Sequence, residues 1–583
     1  MQFAADKQLP ELGESLEKKM ASFDGFEYEV IIVGSGAGGG MAAYVLAAAG
    51  VKVLMLEAGR DYDPTKETPM FHQNHEAPLR GTSTSEKNFG YYDATVDGGW
   101  QVPGEPYSEA PDSRFMWWRA RMLGGRTNHW GRLVPRFTAA DFKPFSTDGV
   151  GTDWPVDYEE IAPWYDKCES LIGVCGDNPG LDDTPSSSEG VLLPPPKPRV
   201  MELLLKSACE SLGIAAVPMR RAILTEPKDD RQACFWATPC GRGCSVGAAF
   251  QTTTSVIPWA RKTGNLKIVT NAMVREVHLD DARKASGVTF TNRLNRKNVR
   301  VNADHIILAA SACETARLLL NSKTEAFPNG LANSSGQVGR NLMDSLGAGV
   351  SGHIPALRDR PKYNEDGHTG NHLYIPWWDR EGQKSGKLNF SRGYHFEVGA
   401  WFSPPGMGIA GAVDGYGKQA KDEIRSNYGT NIGLSLRGEM LVSDDCYCEI
   451  DDKTVDQWGI PVLKFHWKWS EQELNQVSHG LKWGRKIIEA MGGVVNNPNR
   501  TPEEAIEAGG QIIHEVGTTR MGADPSNSVC NKWGQTWDVE NLYVMDGGVF
   551  VSNPHKNCTI TILTLAMRNA TRLAEQLTAR MEH

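Results

Sequence analysis

Residues 28–59 read YEVIIVGSGAGGGMAAYVLAAAGVKVLMLEAG, and this stretch decides the fold. Val30-Ile31-Ile32-Val33 is a run of β-branched residues suited to a buried strand. Gly34-x-Gly36-x-x-Gly39 follows, then an Ala-rich helical segment from Met41 to Ala49 with a glycine stop at Gly50. A second apolar strand, Val51 to Leu56, ends in Glu57, 23 residues after Gly34. That is near the ~20 expected of an acid that binds a ribose. Each part has a physical task. Gly34 permits a tight turn, Gly36 lets backbone approach a pyrophosphate, and Gly39 lets helix and strand pack closely. The helix N-terminus offers N–H groups and a positive dipole end to phosphates, and Glu57 accepts from ribose hydroxyls. The glycines alone are a weak signal, but strand, glycines, helix, strand and acid in this order predict a dinucleotide site. The competing reading is a membrane span, because residues 30–51 carry no charged side chain. Six glycines within that run make it a poor lipid-facing helix.

The 583 residues suffice for one large domain or two to three ordinary ones. A hydrophobic fraction of 40% and a charged fraction of 23% fit a soluble globular chain. The net charge of −10 speaks against nucleic acid or an anionic membrane as main partner. Seventeen Trp suit sugar platforms and partner surfaces, and equally a large core. Eleven scattered cysteines show no disulfide framework. Residues 1–25 read as a polar leader without the apolar core of a signal peptide. The expected location is therefore cytoplasmic, or periplasmic by export together with a partner subunit that carries a signal.

Further along, residues 60–118 are rich in Gly, Pro, Asp and aromatics and read as an excursion over the cofactor. Helices are expected near 159–171, over Glu314 to Asn321, at 470–491 and from about Thr559 to Met581. Strand-like runs are Leu266 to Thr270, Gly287 to Phe290, Asp304 to Ala310 and Leu542 to Met545, the last ending in Asp546-Gly547-Gly548. Three cysteines, Cys234, Cys240 and Cys244, stand within eleven residues. Their spacing lacks the CxxC pairs and fourth ligand usual for zinc. Three thiolates suit an iron–sulfur cluster with an open iron corner, or else simply shape a loop.

The opening motif, Gly124-Gly125, the turn Leu308-Ala309-Ala310-Ser311, Val338-Gly-Arg-Asn-Leu-Met-Asp344, His514-Glu-Val-Gly-Thr-Thr-Arg-Met-Gly522 and the tail Asn553-Pro-His-Lys-Asn-Cys-Thr-Ile-Thr561 together resemble the glucose–methanol–choline (GMC) oxidoreductases. The landmarks run in family order from about residue 27 to 577. The resemblance implies an α/β chain in which a discontinuous FAD-binding, Rossmann-like domain is joined to a substrate domain with a large mixed or antiparallel sheet. The expected bounds are 26–150, 230–345 and 505–583 for the first, with 151–229 and 346–504 for the second. GGRTNHWGR (124–132), DWPVDYEEIAPWY (153–165), the cysteine trio and HEVGTTRMGADP (514–525) are most similar to flavoprotein subunits of bacterial fructose, gluconate and glucose dehydrogenases and glucoside 3-dehydrogenases.

The resemblance also implies roles. His514 stands at the family's catalytic histidine, and a neutral imidazole suits removal of a hydroxyl proton. Asn557 falls at the second family position, where an amide orients the substrate oxygen; His555 is a weaker rival. Gly34, Gly36, Gly39, Glu57, Gly124, Gly125, Asn128, His129, Asp546, Gly547 and Thr559 are the expected FAD contacts. His129, followed by Trp130, matches the His-Trp pair through which some relatives bond the flavin covalently. Cys234, Cys240 and Cys244 match the loop that holds a three-iron cluster, [3Fe-4S], in sugar dehydrogenase subunits. The expected function is oxidation of a secondary ring hydroxyl of a sugar or glycoside, with C3 as a candidate carbon. Electrons would pass through the cluster to a cytochrome c, with a small signal-bearing subunit as partner. The alternatives are an oxidase that uses oxygen on the same substrates, and a flavin-binding electron-transfer subunit with no substrate site of its own.

Overall fold

The computed structural model describes residues 28–67, 98–236, 241, 243–361, 372–399 and 415–581. The leader and Cys240 lie outside them. Val30–Val33 forms the centre of a five-stranded sheet in which every pairing is parallel. Across the sheet the order is Leu542–Val544, His305–Leu308, Val30–Val33, Val53–Leu56 and Leu266–Val269. Val30, Ile31 and Ile32 are fully buried, as a parallel strand covered on both faces requires. Burial of each such side chain contributes about 1.5–3 kcal/mol.

The helix after the first strand runs Ala37–Ala48, beginning four residues before the expected Met41. Gly38, Gly39 and Gly40 are inside it because the helix lies against the sheet too closely for a side chain. A Cβ on Gly39 would stand 2.1 Å from the carbonyl oxygen of Gly34, and one on Gly38 would stand 1.7 Å from that of Met545. Tertiary packing here overrides the poor helix propensity of glycine. The expected stop holds: Gly50 has φ +92°. The C-terminal helix, Thr559–Met581, packs alongside Ala37–Ala48. Among the described residues no helix is long and apolar enough to cross a membrane.

A second, antiparallel sheet has six strands in the order Val494–Val495, Leu346–His353, Asn431–Gly438, Tyr394–Gly399, Leu373–Ile375 and Val217–Pro218. The helix Glu471–Ala490 covers one face, burying Val477, Leu481, Ile487 and Ile488 against Leu434, Leu436 and Phe396. Its start is fixed by a capping box between Ser470 and Glu473. Alternation along Tyr394–Gly399 sends Tyr394, Phe396 and Val398 into that core. His395 and Glu397 take the opposite face.

The glycines separate packing from binding. A Cβ on Gly36 meets nothing within 4 Å, unlike one on Gly39. Gly39→Ala is expected to lower the thermal unfolding temperature by the equivalent of about 1–3 kcal/mol. Gly36→Ala should leave the melting of cofactor-free protein within about 0.5 kcal/mol while weakening dinucleotide binding in a titration. Equal melting temperatures for the two variants would contradict this assignment.

Candidate active site

One cleft joins the two ends of the chain. It contains about 1720 Å³ of atom-free space, solvent at its mouth included. Gly34, Gly36 and Glu57 line one part; Gly125, His129, Asp546, Gly547 and Thr559 line it too, together with His514 and Asn557. Gly36 is the N-cap of Ala37–Ala48 and no side chain caps that end, so the first-turn N–H groups are left for an anion. Gly125, at φ +51°, brings its backbone beside Gly36. This glycine-lined cradle at a helix N-terminus fits the pyrophosphate of a dinucleotide.

Glu57 is buried at the end of its strand. One carboxylate oxygen accepts from the Ser35 N–H (3.1 Å) and hydroxyl, and the other from Gly59 N–H (2.7 Å). Burial raises its pKa despite these bonds. Asp546 accepts from Gly548 N–H and from the Thr315 hydroxyl (2.6 Å), and burial lifts its pKa to about 6. Its side chain thus pins the turn to the helix Ala312–Asn321, while the turn's backbone faces the cleft. Three expected contacts lie outside the cleft lining: Gly39, which packs against the Gly34 carbonyl, Asn128 and Gly124. Asn128 donates to the Leu123 carbonyl and accepts from the Thr253 hydroxyl (both 2.8 Å), so its amide holds the glycine loop together outside the cleft lining. Gly124 likewise packs against Thr253 and Asn128. His129 does line the cleft, and its Nε2 accepts from the Trp118 indole N–H at 3.0 Å.

His514 and Asn557 come together, with Asn557 Nδ2 3.5 Å from His514 Nε2. On the other side of the ring, Nδ1 stands 2.9 Å from Ser345 Oγ. An amide N–H facing Nε2 requires a lone pair there, which assigns the proton to Nδ1 and leaves Nε2 as the basic atom toward the cleft. Burial lowers the His514 pKa to about 3, with the Arg437 and His395 charges adding to the effect and Glu397 opposing it. The imidazole is therefore neutral at physiological pH. The loop is held from below by Asp344, which accepts from the N–H groups of His514 (2.8 Å) and Ile512 (3.2 Å). Burial and the neighbouring Glu515 charge raise the Asp344 pKa to about 8. Between these two residues Ile513 adopts φ +66°, a strained state for a β-branched side chain.

Three groups at this centre were absent from the sequence reading. Glu397 accepts from Asn557 Nδ2 at 3.0 Å and faces Arg437 at 3.4 Å. Burial would raise the Glu397 pKa, but Arg437, His395 and Asn557 hold it well below the usual carboxylate range. A fixed negative charge thus turns the amide, leaving Asn557 Oδ1 as a buried acceptor with no hydrogen bond among the described residues. Arg126, paired with Glu515, adds a cation to the cleft wall. The available signal was the alternation Tyr394-His395-Phe396-Glu397-Val398, which puts two titratable groups on one face of a strand. The cysteine loop runs past the same region: a Cβ on Gly241 would lie 3.9 Å from the His129 carbonyl oxygen. Cys234 and Cys244 share an apolar cluster with Ile223, Ala248 and Ala249.

Comparison with known proteins agrees with this geometry. Family models for the N- and C-terminal parts of GMC oxidoreductases match residues 28–346 and 443–566. The chain is 30% identical to 2-methyl-1,2-propanediol dehydrogenase of Mycolicibacterium austroafricanum, over 93% of this chain and 94% of that one. It is 27% identical to the fructose dehydrogenase large subunit of Gluconobacter japonicus, over 94% and 98%. The crystal structure of pyridoxine 4-oxidase from Mesorbium loti superposes with a TM-score of 0.62 at 17% identity, covering 94% of this chain and 99% of that one. The chain has the GMC fold and belongs to the GMC oxidoreductases, enzymes that oxidise the CH–OH group of alcohols and sugars.

Proposed function

We propose that the protein is an FAD-dependent dehydrogenase that oxidises a secondary ring hydroxyl of a sugar or glycoside, with C3 as the candidate carbon. The observation that carries this reading is the His514–Asn557 pair at the wall of a cleft that also holds a dinucleotide cradle. FAD, when bound, takes up the electron pair and the hydrogen of the carbinol carbon. His514 Nε2 accepts the hydroxyl proton. Glu397 holds one Asn557 Nδ2 hydrogen and so the orientation of the amide, and the other, which faces His514 Nε2 at 3.5 Å, turns to the substrate oxygen. Ser345 Oγ and the Asp344 carboxyl group hold the ring and its loop in register.

For the outward route of electrons we propose a [3Fe-4S] cluster on Cys234, Cys240 and Cys244. Two observations support it: Cys234 and Cys244 lie in one apolar cluster, and Cys244 Sγ accepts the Ala249 N–H at 3.5 Å. The loop also passes close to His129, which is the candidate for a covalent bond to the flavin. A one-electron cluster implies a dehydrogenase coupled to a carrier such as a cytochrome c, with a small subunit as export partner to the periplasm. The oxidase reading is separated from it by product, since only the oxidase makes peroxide with sugars.

Three outcomes test these assignments. His514→Ala should retain FAD absorbance and lose about 10²–10⁴-fold in kcat on a sugar panel assayed with an artificial acceptor. Retained turnover would reject His514 as base. Because the lowered pKa keeps His514 neutral, activity should vanish only as pH falls through that lowered value. The kcat/KM profile should stay level between about pH 7 and pH 5, and an acid limb centred on an ordinary histidine near 6.5 would contradict this. Anaerobically purified protein should contain iron and give an EPR signal that Cys244→Ser removes while FAD remains. Iron-free protein would sink the cluster.

A further inference from the structure

A line of buried titratable groups leaves the catalytic pair and ends in a different cleft. Behind Asn557, Glu397 Oε1 lies 3.7 Å from His395 Nε2. His395 Nδ1 is 3.3 Å from His555 Nδ1. His555 Nε2 is 3.3 Å from Asp183 Oδ1 and 3.1 Å from Lys556 Nζ. His395, His555, Lys556 and Asp183 are each no more than 3% exposed. Asp183 also lines a shallow second cleft with Asp177, Arg220 and Tyr374, about 280 Å³ of atom-free space with solvent at its mouth included, and its rim residue Asp177 is exposed.

The arrangement has one unusual property. His555 Nε2 faces an obligate donor, Lys556, and an acceptor, Asp183, so either tautomer of His555 is satisfied. With Nε2 unprotonated, donors point inward from Lys556 through His555 and His395 to Glu397. With Nε2 protonated, they point outward to Asp183. The His395–His555 and His555–Lys556 contacts are within hydrogen-bond distance, while His395 Nε2 has no hydrogen bond among the described residues and must close the 3.7 Å to Glu397 for a proton to pass.

Resting on the proposed dehydrogenase, we propose that Glu397, His395, His555 and Asp183 form the exit path for the substrate's hydroxyl proton, from the catalytic cleft to the outer cleft. Such an exit is needed when electrons leave one at a time to a carrier that takes no proton. In the reaction the O–H bond breaks with its proton on His514, and the C–H hydrogen leaves with the electron pair. The proton on His514 is handed to Glu397 past the Asn557 amide, whose Nδ2 stands 3.5 Å from His514 Nε2 and 3.0 Å from Glu397 Oε1. Glu397 passes it to His395 Nε2, His395 Nδ1 to His555 Nδ1, and His555 Nε2 to Asp183. The charges facing the path are Arg437 at Glu397, Lys556 at His555 and Asp183, Arg380 at Asp183, and Asp141 at Lys556. Tyr374 stands edge-on to His395, and Glu439 lies near Asp141 and Lys556.

The test follows flavin bleaching and proton appearance together, in weak buffer with a pH-indicator dye and a substrate from the sugar panel. For His555→Gln, bleaching should stay within about 2-fold of the unaltered enzyme, while proton release lags and multiple turnover with a one-electron acceptor falls about 10-fold or more. Added imidazole should restore turnover. If His555→Gln does not fold, His555→Asn reads the same lag. Proton release that keeps pace with bleaching would overturn the path, and so would a parallel loss of bleaching without rescue. If no sugar bleaches the flavin of the unaltered enzyme, it is the proposed function that fails. A readout without substrate is ¹⁵N-histidine NMR of the oxidised protein. His395 and His555 should show shifts averaged between two tautomers, and one fixed tautomer for each would overturn the relay.

Discussion

The parallel pairing of Val30–Val33 with His305–Leu308 is the contact on which the rest depends. Parallel neighbours cannot be joined by a hairpin, so the intervening chain must leave the sheet and return. The chain first returns on the other side of Val30–Val33, as Val53–Leu56 and Leu266–Val269; His305–Leu308 joins more than two hundred residues after Val33, and Leu542–Val544 more than two hundred after that. Each return carries a turn to the same edge: Gly34 to Gly36, Ala309 to Ser311, and Asp546-Gly547 all line one cleft. The active site is therefore a consequence of sheet closure. Asn557 reaches the cleft because Leu542–Val544 has already been placed beside His305–Leu308.

Much of this frame could be read from residue order alone. The β-branched runs, the Gly50 stop and the ends of the final helix are local signals, and the structure follows them closely. The start of the first helix was misjudged because its glycines look like a loop until the carbonyls of Gly34 and Met545 are seen against them. Asn128 lies outside the cleft lining, its amide engaged by the Leu123 carbonyl and the Thr253 hydroxyl. The alternation that puts His395 and Glu397 on one face carries no functional signal by itself, because the polar face of an antiparallel strand usually meets water, and Arg437 joins them from the neighbouring strand. Among the described residues, His555 and Asn557 of the returning 553–557 segment cover that face. No sequence pattern announces a left-handed isoleucine.

The electrostatics of the site follow from that covering. Glu397 is kept ionised by Arg437, and its charge decides which way the Asn557 amide points. Lys556 is fully enclosed but balanced by Asp141 and Asp183, so three segments distant in sequence are tied by one cation. Buried pairs of this kind add little net stability, yet removing one partner leaves an uncompensated charge. They therefore specify geometry more than they strengthen the fold.

Ile513 sets two selective pressures against each other. Its φ of +66° costs on the order of 1–3 kcal/mol, and glycine or asparagine would carry that conformation with less strain. A more stable chain is thus one substitution away. The bulky side chain also narrows the rotations open to the peptide that presents the base. Relaxing the residue trades rigidity at the reacting nitrogen for thermal robustness. Screens that select for heat resistance alone would be drawn to position 513, at the expense of turnover.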